Sequence, residues 1–386
     1  MQLLGGLTAE EFLQQYWQKK PLLIRQAIPD FSTPLSPDEL AGLACEQEVE
    51  SRLILEKDAN TPWHLEHGPF TETRFSLLPA SHWTLLIQKA NQLIPELAEL
   101  LDQFNFIPNW RIDDVMVSYA PKAGSVGPHV DQYDVFLLQG LGTRRWQIST
   151  HDSSQTPLVE NTELQILREF NPEQEWLLEA GDMLYLPPNV AHYGVAQDDC
   201  MTFSIGFRAP RYNELLTAWT DDQTLHLPDR LHYQDPDLQV APHNGEITAS
   251  ALEKIRAIIR QQYIKDQDID RWFGQYITEP PAGQLLYEAE TCLNSEQFRT
   301  SLTEYGELWR SEYSRFAFTR ENDMVRLYVD GQEFELGTDY SELVALLCDQ
   351  RRYKIEEIQQ HLVNMEPFEL LTSLYNMGAV EFPENA

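Results

Sequence analysis

The chain has 386 residues, enough for two or three domains, and its 61 acidic against 28 basic side chains give a formal net charge of −33. That balance argues against direct binding to nucleic acid, whose phosphates it repels. It suits a basic macromolecular partner drawn in by the opposite field, or serves solubility alone.

Mean hydropathy is −0.42, and no stretch approaches the ~20 continuous apolar residues of a membrane helix. At the N-terminus, Thr8-Ala-Glu-Glu11 reads as a helix capping box ahead of Phe12, Leu13 and Tyr16, where a leader would place a basic segment and an apolar run. The expectation is a soluble, unprocessed chain. Cys45, Cys200, Cys292 and Cys348 form no CxxC pair and no ladder, which fits a reducing cytoplasm.

A short strand is predicted at Pro21–Arg25, a helix over Pro37–Cys45 and a strand near Ser51–Leu55. His64-Leu-Glu-His67 lacks the HExxH pattern of a zinc pair and reads as surface loop. From Trp83 to about Phe104, Leu86, Ala90, Leu93, Leu97 and Leu101 fall at helical spacing. Between Trp110 and Phe207 the pattern changes to short runs rich in Val, Ile, Phe and Tyr with Gly, Pro and Asp between them. Examples are Val115–Tyr119, Val135–Leu138, Arg145–Ile148, Met183–Leu186 and Met201–Ile205, and Gly140-Leu-Gly142 supplies a hairpin turn. Many short strands predict a sandwich or barrel.

Past Arg208-Ala-Pro210 the chain turns helical. Over Ser250–Asp266, Leu252, Ile255, Ile259 and Tyr263 share one face, either core or a dimer seam, and a lone stripe is more often core. A third unit is expected from near Pro280. Val325–Val329 and Gln332–Leu336 flank Asp330-Gly331, a strong hairpin signal. Helices follow at Ser341–Cys348, Ile355–Leu362 and Pro367–Asn376, then Gly378 leads into a short strand ending at Phe382. Small strands with three helices resemble a winged helix. The acidity of this segment favours a structural or protein-contact role over DNA binding.

The central observation is Gly127-Pro-His-Val-Asp131. Residues two apart in a strand project to the same side, so His129 and Asp131 point together. An imidazole and a carboxylate are two thirds of a facial triad, which leaves three positions on iron(II) for co-substrate and dioxygen. Ala180-Gly-Asp-Met-Leu-Tyr-Leu-Pro-Pro-Asn-Val-Ala-His192 supplies the third ligand: a turn, a strand, a proline stop, then His192 opening the next strand. HxD alone is usually an ordinary polar strand pair; the later segment is what makes it a metal signal. A 2-oxoglutarate site also needs a cation, and arginine's fork pairs bidentately with a carboxylate. Arg144 shares a strand face with Trp146 and Ile148 and is expected to point inward, Arg145 outward; the alternative is two surface arginines. No GxGxxG, P-loop or GxSxG motif occurs.

These strings, together with Lys20–Arg25, Ile107-Pro-Asn-Trp-Arg-Ile-Asp-Asp114 and Ser204-Ile-Gly-Phe-Arg-Ala-Pro210, resemble the JmjC branch of 2-oxoglutarate oxygenases, and more closely the bacterial ribosomal oxygenases of the YcfD type. The likeness covers the first ~210 residues. It departs at Ala123-Gly-Ser-Val, where relatives are richer in glycine. It implies an α+β multidomain chain: a double-stranded β-helix (cupin/JmjC barrel) over 1–210, a helical dimerisation region over 211–279 and a winged helix over 280–386. It implies hydroxylation of an arginine side chain in a basic large-subunit ribosomal protein of the L-sixteen family, by a cytoplasmic homodimer using iron(II), 2-oxoglutarate and dioxygen. Carried over by position, His129, Asp131 and His192 hold iron and Arg144 holds 2-oxoglutarate. Asp114, Met116, Tyr133 and Ser204 line the substrate pocket, with Asp114 a partner for the guanidinium. A JmjC-type demethylase of methylated lysine or arginine shares the triad, and a non-enzymatic metal-binding cupin scaffold remains a third reading.

Overall fold

The computed structural model describes residues 2–56, 63–153, 155–236, 238, 247–262, 266–281, 284, 288–289, 291–361 and 366–383. The chain divides into two units, Met1–Ala209 and Pro210–Ala386.

The first unit opens with α1 (Ala9–Gln15), capped as its sequence predicts: the Glu11 N–H donates to Thr8 Oγ1 at 3.1 Å, and the Thr8 N–H donates to the Glu11 carboxylate at 2.8 Å. β1 (Leu22–Ile24), α2 (Pro37–Leu43), β2 (Ser51–Glu56) and β3 (Trp63–His67) follow. Next come α3 (Glu72–Ser76), β4 (Trp83–Ile87) and α4 (Pro95–Asp102). The barrel strands are β5 (Ile112–Ala120), β6 (His129–Val130), β7 (Val135–Leu141) and β8 (Arg144–Ser149). They continue with β9 (Gln174–Leu178), β10 (Met183–Leu186), β11 (Ala191–Ala196) and β12 (Cys200–Phe207).

Two antiparallel sheets result, one of order β1-β10-β7-β12-β5-β4-β2-β3 and one of order β6-β11-β8-β9. The larger sheet is covered on one side and hollow on the other, and strand alternation sorts the residues. Val115, Val117, Phe136, Leu138, Phe203, Ile205 and Phe207 enter the main core with Phe12 and Phe104 from the helices. Their neighbours Asp114, Met116, Ser118, Val135, Leu137, Ser204 and Gly206 line a cavity. β7, β10 and β12 are buried on nearly every residue, which explains why they read as near-continuous apolar runs, whereas β5 alternates between buried and partly exposed positions. The aromatic core is tightly set: Phe12 meets Tyr185 edge-on with centroids 4.9 Å apart, and Phe104 meets Phe136 at 4.9 Å.

Three sequence expectations for this unit need correction. The helix expected from Trp83 to Phe104 is split. Trp83–Ile87 is a strand between β2 and β5, Lys89 turns through a left-handed conformation (φ 51°), and the helix starts only at Pro95. Of the helically spaced residues only Leu86 falls in this strand, and a short apolar run such as Leu85–Ile87 fits either period. Gly140-Leu-Gly142 does not close a hairpin: β7 pairs with β10 and β12, whereas β8 pairs with β9 and β11, so the turn is a corner between sheets. His64–His67 is edge strand, not loop, though its two histidines face opposite ways and each lies beside a glutamate instead of the other.

The second unit contains α5 (Tyr212–Leu225), α6 (Ala249–Gln262), α7 (Asp266–Thr278) and α8 (Ser295–Tyr305). β13 (Glu307–Arg310), β14 (Phe316–Arg320), β15 (Met324–Val329) and β16 (Gln332–Gly337) come next. α9 (Ser341–Asp349), β17 (Arg352–Lys354), α10 (Ile355–Gln359), α11 (Glu366–Asn376) and β18 (Val380–Glu381) complete it. The Asp330-Gly331 hairpin forms as expected, both residues at positive φ, and Gly378 (φ 76°) ends α11. Phe298, Leu327, Leu343, Leu347, Tyr353 and Leu371 anchor this unit's core. The α6 stripe is not core: Leu252, Ile255, Ile258 and Ile259 are all exposed, while Tyr263 and Leu362 lie outside the described residues. Among the described residues no helix is long and apolar enough to cross a membrane.

Candidate active site

The HxD segment is held before its ligands are reached. Gly127 turns into β6 at φ +84°, and a Cβ there would stand 2.9 Å from the Ile166 side chain, so both backbone and space require glycine. Buried Ser125 accepts from the Gly127 N–H at 3.1 Å and donates to the Gly194 carbonyl at 2.7 Å. Across β6–β11, His129 stands opposite His192. The Asp131 carbonyl accepts from the Asn189 N–H at 2.8 Å, which ties the carboxylate's backbone to the turn ahead of β11.

One Asp131 oxygen lies 3.8 Å from His129 Nε2 and the other 3.6 Å from His192 Nε2. Ligating atoms of all three residues fall within 4.8 Å of one another. His129 Nδ1 faces the Gly127 carbonyl at 2.9 Å, and His192 Nδ1 faces the Val190 carbonyl at 3.0 Å. A carbonyl can only accept, so each Nδ1 carries the proton and each Nε2 keeps its lone pair. Burial, and then the neighbouring His129, push His192 down to about 4, so it is neutral at physiological pH. Two imidazoles and one carboxylate are the donor set a divalent first-row metal takes.

Arg144 is 4% exposed, and its Nε and Nη2 have no hydrogen-bond partner. Strand alternation placed it correctly: Arg144, Trp146 and Ile148 are buried, whereas Arg145 lies outside, 3.8 Å from Glu175. Its guanidinium lies 5.5 Å from the Trp146 ring centroid, and that ring lies 5.9 Å from His192. Gly194 makes room, because a Cβ there would stand 2.6 Å from the indole. A buried guanidinium without a counter-ion among the described residues, beside a cluster that could hold a metal, fits a carboxylate ligand that binds both.

All eight residues named from sequence border one cavity of about 430 Å³: His129, Asp131, His192, Arg144, Asp114, Met116, Tyr133 and Ser204. Met116 and Ser204 are direct cross-strand neighbours. Burial, and then Asp113, raise Asp114 to about 6. Burial, and then Asp131 and Asp114, hold the Tyr133 phenol well above its usual range.

The comparisons agree with this geometry. A family model described as JmjC domain matches residues 99–215, and one described as ROXA-like winged helix matches 257–381. The chain is 36% identical over 273 residues to the ribosomal protein uL16 3-hydroxylase of Escherichia coli, covering 71% of this chain and 72% of that one. It is 33% identical over 360 residues to a probable ribosomal oxygenase of Haemophilus influenzae, covering 89% and 86%. The chain belongs to the ribosomal oxygenases of the JmjC branch. The structure of the E. coli ribosomal oxygenase YcfD superposes with a TM-score of 0.86 at 30% identity, covering 98% of this chain and 99% of that one. YcfD has also been solved with cobalt and 2-oxoglutarate (TM-score 0.84, 31% identity, the same coverage). The oxygenase described here is therefore an enzyme of the 2-oxoglutarate-dependent class, whose metal is iron(II) and whose co-substrates are 2-oxoglutarate and dioxygen.

Sequence reasoning missed several cavity residues of this oxygenase. Ser118 continues the Asp114–Met116 face and was readable from alternation alone. Arg52 and Gln88 were not, because the segment holding Gln88 was read as helix. Ile166 comes from the long connection between β8 and β9, which carries no periodic pattern.

Proposed function

We propose that this oxygenase hydroxylates an arginine side chain of large-subunit ribosomal protein uL16. The observation that carries the reading is the opposition, across one cavity, of a buried cation with no counter-ion among the described residues and a half-buried carboxylate: Arg144 on one wall and Asp114 on the other. The first matches the far carboxylate of 2-oxoglutarate; the second matches a guanidinium. The E. coli relative's name as a ribosomal protein uL16 3-hydroxylase and this chain's formal charge of −33 support a basic substrate.

In this reading His129, Asp131 and His192 hold the metal, their Nδ1–H donors to backbone carbonyls keeping both Nε2 atoms available. Bound iron(II) supplies the oxidative chemistry, in which dioxygen converts 2-oxoglutarate to succinate and carbon dioxide and leaves one oxygen atom for the substrate. Arg144 and Trp146 orient the co-substrate. Asp114 receives the guanidinium in its ionised form, while Met116, Tyr133 and Ser204 wall the aliphatic stem. Closing the arginine between these walls excludes water and brings the target carbon near the metal position.

The helical segment 211–279 serves as a dimerisation region through the exposed α6 stripe, 280–386 forms a winged helix that contacts protein and not DNA, and the enzyme works in the cytoplasm on its ribosomal substrate. Ile255→Glu is expected to turn a dimer into a monomer in sedimentation analysis; an unchanged mass rejects the seam.

The deciding experiment incubates the enzyme, iron(II) and 2-oxoglutarate with a uL16 arginine peptide. A mass gain of one oxygen atom on arginine supports the assignment. Formaldehyde release from a methylated peptide instead, or no turnover of any ribosomal arginine, rejects it.

A further inference from the structure

Resting on the reading of Asp114 as the guanidinium's partner, we propose that Arg52 and Gln88 are positioning residues: together they fix which Asp114 oxygen is offered to the incoming arginine. The three side chains come from neighbouring strands on the hollow face of the large sheet. Arg52 on β2 is in register with Leu86 of β4; Gln88 follows β4, its N–H donating to the Glu50 carbonyl at 3.0 Å; Asp114 sits on β5, which pairs with β4.

The Gln88 amide satisfies both neighbours in one orientation only. Its oxygen then accepts from the Arg52 guanidinium, and its nitrogen donates to Asp114 Oδ2 at 3.2 Å. An amide is the neutral side chain that can accept at one end and donate at the other. The Lys89 N–H donates to the same Oδ2 at 2.9 Å, and it can do so because Lys89 adopts a left-handed backbone (φ 51°), a strained conformation for a residue with a side chain. Next along this turn, Asn91 accepts from the Val115 N–H at 2.9 Å, so the Gln88–Asn91 segment grips two successive residues of β5. Both donors fall on Oδ2. Oδ1 lies against Gly206, where a Cβ would come within 3.4 Å.

The amide's interposition has an electrostatic consequence. A direct Arg52–Asp114 ion pair would neutralise the carboxylate before substrate arrived. With Gln88 between them, Arg52 polarises the amide toward Oδ2 while the charge of Asp114 stays available at Oδ1. The relay thus biases the site toward a cationic side chain presented to one defined oxygen.

The test compares wild type, Gln88→Met, Arg52→Met and the double variant on a uL16 arginine peptide and on the same peptide with citrulline, arginine's neutral isostere. Gln88→Met is expected to raise the peptide KM about tenfold, the loss of one hydrogen bond to a charged group. Its kcat is expected to change less than about threefold, and its preference for arginine over citrulline to narrow. The double variant is expected to be no worse than Gln88→Met alone, because the pair acts as one unit. The KM for 2-oxoglutarate, governed from the opposite wall by Arg144, verifies that each cavity is intact. Should Gln88→Met not fold, Arg52→Met carries the same expectation. A peptide KM within about twofold of wild type, or additive single effects, overturns the relay. A wild-type enzyme inactive on the arginine peptide overturns the relay together with the reading beneath it.

Discussion

The two walls of the cavity are built on different principles. The wall from the small sheet carries His129, His192 and Arg144 on three adjacent strands, β6, β11 and β8, each held by close backbone or aromatic contacts. The wall from the large sheet carries Asp114, Met116 and Ser204 among apolar neighbours, with orientation supplied by hydrogen bonds from a turn. In the function proposed above, the first wall holds the metal and co-substrate and the second receives the substrate, so changes on one are expected to leave the other's ligand in place.

The contrast can be broken most severely on the metal wall. His192→Ala is expected to abolish iron binding in calorimetry and to lower turnover more than about 10³-fold, because ligands act as a unit. Retained turnover would detach the chemistry from this cluster. Arg144→Met is expected to raise the KM for 2-oxoglutarate about 10²-fold, the cost of truncating one partner of a buried charge pair. In the absence of co-substrate the same variant is expected to have a higher Tm than wild type, since a buried cation with no counter-ion among the described residues has been removed. A drop in that Tm would show Arg144 to be structural.

On the substrate wall Asp114→Asn is expected to raise the peptide KM about tenfold while leaving the 2-oxoglutarate KM in place. Because burial and Asp113 raise Asp114 to about 6, its ionised form fills in as pH rises through that value. Peptide kcat/KM in wild type should climb from about pH 5 to 7, and the asparagine variant should lose that limb. Stability runs the other way. A carboxylate whose folded value exceeds the unfolded ~3.9 favours the fold below about pH 4 and loses that contribution as pH rises to about 6. Wild type should therefore lose stability over that window relative to Asp114→Asn, as read by chemical denaturation; parallel curves would refute the shift. The smallest effect belongs to Gly194→Ala. Its Cβ would stand 2.6 Å from Trp146, an overpacking that costs about 1–3 kcal/mol and lowers Tm without touching peptide preference.

The metal wall was legible because its information is local. HxD places two ligands by strand period alone, and the turn, strand and proline stop before His192 announce where the third begins. Arg144 followed from the same alternation. Asp114, Met116, Tyr133 and Ser204 entered only through resemblance, since nothing in their local pattern separates a cavity face from a core face. Gln88 was hidden by the misread helix, while Arg52 lay in a strand read correctly whose pairing with β4 the sequence did not show. Which strands pair is a long-range property, and it was this that turned the expected Gly140–Gly142 hairpin into a corner.

That corner sets the enzyme's mechanical character. Leu137, on β7, belongs to one wall and Arg144, on β8, to the other, yet only six residues of chain separate them. Gly142 turns at φ +61° with no space for a side chain, a Cβ there lying 2.2 Å from the Asp199 carbonyl. The spacing of the two walls here is thus bounded by the chain itself, as in a caliper held near one width. New targets in this scaffold are reached by recutting the jaw's lining and not by opening it wider.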